Sequence, residues 1–358
     1  MGLHFQFRRY RLPLRMPVRT AHETWTEREG LVLKLEAGRG GAGFGEVAPI
    51  PAFGTETIGA AEAVCRSLGE WPTEAALAAV PASLGCVRQA LATAKAALQA
   101  RAGAELSAAP DAGEPATSQH PPYRAIAGLL PAGRAALEPL RIKVEAGFRV
   151  FKWKVGVGRV EDELPLLDDL CAALPPGGRL RLDANGGWNR RQAERWLERC
   201  AERPVEFVEQ PCFAPATPDA NLARRTDDVL LGLAHDFPTP IALDESLVGE
   251  GDVERWVDAG WPGWFVVKPS LLGDAAGALA RLESAGAPVV FSSALETAIG
   301  ARAALRTAFA WRGEPHALGF GVWPLFADQR FDGPATAPFV REEDVARINP
   351  EDVWNALI

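Results

Sequence analysis

Three acidic residues, Asp183, Glu209 and Asp244, close three short apolar runs in the strings RLRLDAN, VEFVEQP and IALDES. They lie 26 and 35 residues apart, a spacing that suits one strand–helix unit each. A parallel barrel gathers strand ends on one rim, so the three carboxylates together could hold a divalent cation. Mg²⁺ takes oxygen ligands in near-octahedral geometry and keeps positions open for water or substrate. Any single carboxylate could instead cap the next helix or pair with a lysine. Three in succession favour the metal.

Lysines flank the set. Lys152 and Lys154, in FKWKVG, come before it, and Lys268, in WFVVKPS, comes after. Residues two apart on a strand point to the same face, so Lys152 and Lys154 can both face a barrel interior while Trp153 faces the helices. A surface strand is the alternative, because lysine is seldom buried. Near a metal and a second ammonium, a lysine falls from its usual pKa of about 10.4 toward neutrality and becomes a base usable at pH 7. Lys268 would stand on the far side of a bound substrate, or else pair with Asp244 or Glu209. The chemistry this suggests is metal-assisted work on a carbon acid. Asn185, two residues past Asp183, can bond a ligand or fix a turn. Ser292 and Ser293, beside Glu296 in FSSALETAIG, can bond a substrate carboxylate or cap the next helix.

These residues sit in a repeating pattern. Eight apolar runs, YRAIAGLL, FRVFKWKVG, RLRLDANGG, VEFVEQP, IALDES, GWFVVKPS, PVVFSSALE and HALGFGVWP, alternate with helical segments such as RRQAERWLERCAER and DAAGALARLESAG. Repeated units of this length predict an α/β barrel of modified (β/α)8 type over residues 123–323. Before it, HFQFRRYRL and LVLKLEAG alternate as antiparallel strands, and two helical segments follow. Residues 1–105 therefore read as an α+β domain. Residues 106–122, rich in Pro, Ser and Ala, read as a linker, and the segment 324–358 is expected to return to the N-terminal domain. Gly38, Gly40 and Gly43 satisfy G-x-G-x-x-G, but GEVAPIPAFG follows where a helix must begin, so a hairpin turn is expected instead of a dinucleotide site.

With 47% apolar residues in 358, the chain can bury a large core, as two domains or as one barrel with an appendage. A net charge of −8 without a basic cluster makes nucleic acid an improbable partner. No stretch approaches a membrane span of roughly 18–20 apolar residues, and the N-terminus lacks a signal-peptide core, so a cytoplasmic location is expected. Five scattered cysteines without a C-x-x-C pair indicate neither a disulfide framework nor a zinc site. A homo-oligomer is left open.

Together, GEVAPIPAFGTET, FKWKVG, LDANGGW, EFVEQP, ALDES, VVKPSLLG and FSSALETAIG resemble the enolase superfamily, muconate-lactonizing-enzyme subgroup, and within it the family of o-succinylbenzoate synthases. These strings span nearly the whole chain. The resemblance implies a (β/α)7β barrel under a capping domain and a Mg²⁺ cofactor, with Mn²⁺ as a substitute, held by Asp183, Glu209 and Asp244. It implies that Lys154 abstracts the proton alpha to a substrate carboxylate, that Lys152 tunes it, and that Lys268 steadies an ene-diolate from the opposite face by a cation–π-like contact. The activity implied is a carbon–oxygen lyase, a dehydratase of menaquinone biosynthesis acting on a small carboxylate. Racemases, dipeptide epimerases and cycloisomerases of the subgroup share the lysines and carboxylates and give the alternative reading; a non-catalytic binding module is a third. The loop LRMPVRTAHETWTEREG should close over substrate, where Arg19, His22 and Arg28 would either meet a succinyl carboxylate or remain exposed loop charges.

Overall fold

The computed structural model describes residues 2–19, 24–38, 41–106, 121–215 and 219–357, with backbone only at 19 and 101–106. The N-terminal part is a three-stranded antiparallel sheet, β1 (Leu3–Arg19), β2 (Thr24–Ala37) and β3 (Gly41–Val47), in that order. Three helices follow: α1 (Ile58–Leu68), α2 (Glu74–Ala78) and α3 (Gly85–Leu106). Strand alternation splits β2 between two cores. Leu31, Leu33 and Leu35 pack with Cys65, Ala90 and Ala94 of the helices, while Val32, with Tyr10 and Phe44, joins the core of the larger domain.

Two glycines set the distance between sheet and helix. A Cβ on Gly43 would stand 1.8 Å from the Ala94 carbonyl oxygen, and one on Gly45 would stand 2.0 Å from that of Ala90. Only glycine on β3 lets α3 come so near. The G-x-G-x-x-G pattern thus includes one helix-packing glycine, Gly43, and a turn glycine, Gly38, at φ 41°; Gly40 lies outside the described residues.

The larger domain is a curled parallel sheet. Its strands are β5 (Gly128–Leu130), β6 (Val150–Lys154), β7 (Arg179–Asp183), β8 (Val205–Glu209), β9 (Ile241–Leu243), β10 (Trp264–Val267) and β11 (Val289–Phe291), hydrogen-bonded in sequence order. Between them run α4 (Leu137–Glu145), α5 (Val160–Ala173), α6 (Arg190–Cys200), α7 (Ala220–Asp236), α8 (Glu250–Asp258) and α9 (Ala275–Ser284); α10 (Ala298–Ala310) follows β11. α6 shows why such segments form. Asn189 and Gln192 make a capping box, and Ala193, Trp196, Leu197 and Cys200 recur on one buried face.

The fold is an α/β barrel with an α+β cap, and the structure alters two of the expected strands. YRAIAGLL divides: β4 (Tyr123–Ala125) pairs antiparallel with β12 (Phe339–Arg341), and only β5 enters the barrel. HALGFGVWP makes no regular strand. It closes the barrel through single bridges, Leu318 to Ile126 and Gly319 to Ser292. At Gly319 and Gly321 the segment runs too close to its neighbours for a side chain: a Cβ on Gly321 would lie 2.4 Å from the Ala127 carbonyl oxygen.

Beyond the barrel, α11 (Glu342–Ala346) and α12 (Pro350–Ala356) complete the chain. This end returns to the N-terminal sheet. Arg15 N donates to Leu325 O (2.8 Å), Ala327 N to Pro13 O (2.9 Å), and Arg8 Nη1 to Leu357 O (3.0 Å). Residues 107–120 of the expected linker lie outside the described residues. No described helix is long and apolar enough to cross a membrane, and all five cysteines are free.

Candidate active site

Strand register lines up the charged residues. Lys154 is opposite Asp183, and Asp183 opposite Glu209, across β6, β7 and β8. Glu209 pairs with Ala242 of β9, so Asp244 stands just past the strand end. Trp153, between the two lysines, is fully buried and packs edge-on against Trp196 of α6, which directs Lys152 and Lys154 to the barrel interior.

There the ammonium of Lys152 bridges two carboxylates, at 2.6 Å from Glu209 Oε1 and 3.0 Å from Asp183 Oδ2. Lys154 Nζ donates to Asn185 Oδ1 (2.7 Å) and lies 3.6 Å from Asp183 Oδ2. Lys268, only 7% exposed, contacts Asp244 directly and lies 5.5 Å from the centre of the Phe53 ring. The ion pair that the sequence allowed for Lys268 is therefore present. Lys152, Lys154, Asp183, Asn185, Asp244, Lys268, Ser292 and Ser293 all line one cavity of about 1490 Å³. Glu209 does not line it, and sits behind Lys152.

Burial and neighbours set the charges. Burial works to raise Asp183, but Lys152, Lys154 and Lys268 outweigh it and hold the carboxyl well below the usual range. Glu209 moves the other way, since burial and then Asp183 and Asp244 push it up more than Lys152 draws it down. One ammonium cannot neutralise both carboxylates. For Lys152, burial favours the neutral amine, yet Asp183, Glu209 and Asp244 together raise it. The expected fall of a lysine toward neutrality is thus reversed at Lys152 while protein charges alone act on it.

This imbalance tests the metal expectation. Among the described residues no three acidic, histidine or cysteine side chains stand converged as a ready cage; Lys152 bridges two of the carboxylates and Lys268 covers the third. The donor set is nonetheless three buried carboxylates, all hard oxygen donors, on adjacent strand ends. It fits Mg²⁺.

Several participants were not foreseen. Glu245 is 1% exposed, accepts from Asn185 Nδ2 (3.0 Å), and is pushed up to about 8 by burial and then by Asp244 and Asp183. Alternation along ALDES would turn it away from Asp244, but β9 ends at Leu243, so alternation no longer holds there. Gln210 accepts from Asp244 N (2.8 Å) and donates to Ser246 Oγ (2.8 Å), tying two strand ends together. Asn185 and Gln210 carry positive φ, 45° and 38°. Strain beside the carboxylates of this kind persists only where surroundings over-determine it.

At the seventh strand end, Ser292 Oγ donates to Gly319 O (3.3 Å). Ser293 Oγ donates to Glu296 Oε2 (2.9 Å) and accepts from Leu295 N (2.9 Å). Neither serine caps α10; Thr297 does. In the N-terminal loop, His22 and the side chain of Arg19 lie outside the described residues. Arg28 is not an exposed loop charge. It is buried, and all its bonds go to backbone carbonyls.

Comparison with known proteins agrees with this geometry. The family described as "Enolase C-terminal domain-like" matches residues 136–340, and that described as "MenC, N-terminal domain" matches residues 4–98. An o-succinylbenzoate synthase of Thermosynechococcus vestitus is 40% identical over 89% of this chain and 92% of its own. The chain belongs to the o-succinylbenzoate synthase family of the enolase superfamily. A family member from Thermobifida fusca is 28% identical over 89% of this chain and 82% of its own. A crystal structure of the synthase from Thermosynechococcus elongatus, complexed with Mg in the active site, superposes with a TM-score of 0.78 at 37% identity, covering 99% of each chain. The dipeptide epimerase of Enterococcus faecalis, with Mg and L-Leu-L-Tyr, shares the fold at TM-score 0.77 and 20% identity, over 95% of this chain and 97% of its own.

Proposed function

We propose that Lys154 is the base and Lys268 its counterpart in a Mg²⁺-dependent lyase that forms o-succinylbenzoate by dehydrating its hydroxycyclohexadiene carboxylate precursor, in menaquinone biosynthesis. The observation that carries this reading is one cavity in which Lys154 and Lys268 flank Asp183 and Asp244, in a chain 40% identical to a named synthase. Asp183, Glu209 and Asp244 would hold the metal, which when bound supplies positive charge for the carboxylate oxygens as the alpha carbon loses its proton. Lys154 takes that proton, and Asn185, bonded to its ammonium, aims it. Protonated Lys154 then gives the proton to the departing hydroxyl on the same face. Lys268, held against Phe53, steadies the negative charge from the other side. Lys152 bridges Asp183 and Glu209 and contacts the substrate carboxylate.

Residues 1–105 with 324–358 act as the cap and 123–323 as the catalytic barrel in this reading, supported by the bonds that tie Leu325, Ala327 and Leu357 to β1. An epimerase could use the same two lysines as opposed acid and base. It would also need a carboxylate for a substrate ammonium past the seventh strand, and Glu296, the acid there, is bonded to Ser293 and does not line the cavity.

The test is turnover of the cyclohexadiene precursor by purified protein with and without Mg²⁺, followed by absorbance. No change in the presence of metal would sink the reading. Deuterium uptake with inversion at the alpha carbon and no loss of water would favour the epimerase.

A further inference from the structure

The turn after β11, Ser293–Leu295, lines the cavity but is held from outside the barrel. Arg28 of β2 makes five bonds with its guanidinium, one for each N–H. Nη2 donates to Ala48 O (2.6 Å) and Ala294 O (3.1 Å), Nη1 to Pro49 O (2.8 Å) and Glu29 O (3.2 Å), and Nε to Leu295 O (3.2 Å). Three acceptors belong to the cap and two to the turn. Among the described residues no carboxylate lies in ion-pair contact with Arg28. Leu295 itself is left-handed, at φ 59°, a conformation that a leucine holds only when its surroundings impose it.

We propose that Arg28 is a positioning residue for the reaction proposed above: it fixes the Ser293–Leu295 wall of the cavity to the cap, so that cap and barrel present one continuous surface to the part of the substrate remote from the reacting carbon. Neither metal carboxylates nor Lys154 touch this clamp. Losing it should therefore weaken substrate binding and spare the metal. The inference rests on the synthase reading, and wild-type turnover tests that reading separately, so only the ratio of variant to wild type bears on Arg28.

Arg28→Lys offers three donors in place of five. The expected result is a KM raised about ten-fold or more, kcat lowered less, and Mn²⁺ affinity by calorimetry equal to wild type. Adding Leu295→Gly, which is free to adopt φ 59°, should recover part of the KM relative to Arg28→Lys alone. Unchanged KM, or metal affinity falling in step with activity, would overturn the proposal. Should Arg28→Lys fail to fold, amide exchange in the wild-type protein decides: Leu295 N–H must exchange as slowly as the amides of β2, and exchange at the rate of an open loop overturns the clamp.

Discussion

The floor and the far wall of the cavity are built on opposite principles. The floor, at the ends of β6 through β10, consists of charged side chains whose positions follow from strand register, each lysine answered by a carboxylate within the barrel. The wall at Ser292–Leu295 is held from the barrel at Gly319 and from the cap by Arg28 on β2, which binds its carbonyls; just beyond it, Glu46 on β3 accepts from Thr297 N and Gly300 N at the start of α10, at 2.8 Å each. Tyr10 of β1 donates to the same Glu46 at 2.6 Å. Of the cap strands, β2 reaches the turn directly through Arg28, while β1 and β3 reach the start of α10 through the Tyr10–Glu46 pair. Chemistry is set within one domain, and the shape around it is set between two.

The contrast breaks first at the floor. Lys154→Ala should lower kcat by at least the roughly 10²–10⁴-fold typical of a lost general base, with Mn²⁺ binding by calorimetry within a few-fold of wild type; a variant that keeps normal turnover would remove Lys154 from its role. Asp183→Asn should weaken metal binding by more than the 10–100-fold expected of an outer partner, read by the Mg²⁺ concentration needed for half-maximal rate. At the wall the effect changes kind. Glu46→Ala strips α10 of its N-terminal carboxylate and leaves buried N–H groups without acceptors, so thermal unfolding should show a loss of about 1–3 kcal/mol, while Mg²⁺ dependence stays as in wild type.

The last effect appears only as a pH dependence, at Glu296. Burial first, then Glu46, raises this carboxyl from its ordinary 4.5 to about 7. The folded protein therefore binds a proton that the unfolded chain has lost, and stability falls as pH rises from about 4.5 to about 7 and then levels. Glu296→Gln should raise the unfolding temperature at pH 8 and match wild type near pH 4.5, with a gap of about 3 kcal/mol at most. A gap that is constant with pH would show that Glu296 titrates normally.

The same contrast governs what could be read from sequence. Asp183, Glu209, Asp244 and the three lysines end apolar runs, and a period of two with strand–helix spacing brings them together. Arg28 could not be placed that way. Its partners are carbonyl groups up to 267 residues distant, and carbonyls leave no mark in a sequence, so an arginine in a polar loop reads as exposed. Glu245 escaped because strand alternation stops one residue before Asp244. The eighth strand was visible as an apolar run but not as a bare seam, because Gly319 and Gly321 replace side-chain packing with backbone approach. The α/β barrel and its α+β cap were legible, since both depend on periodicity.

That seam has a mechanical consequence. The segment through Leu318 and Gly319 is joined to its neighbours by few backbone bonds, among them Ala127 N to Leu318 O (2.9 Å) and Gly319 N to Phe291 O (2.8 Å). Seven residues later the same segment is anchored to β1 at Leu14 and Phe326. The last stave of the barrel is thus also the strap that ties down the lid, and tension on the lid is delivered to the joint beside Ser292.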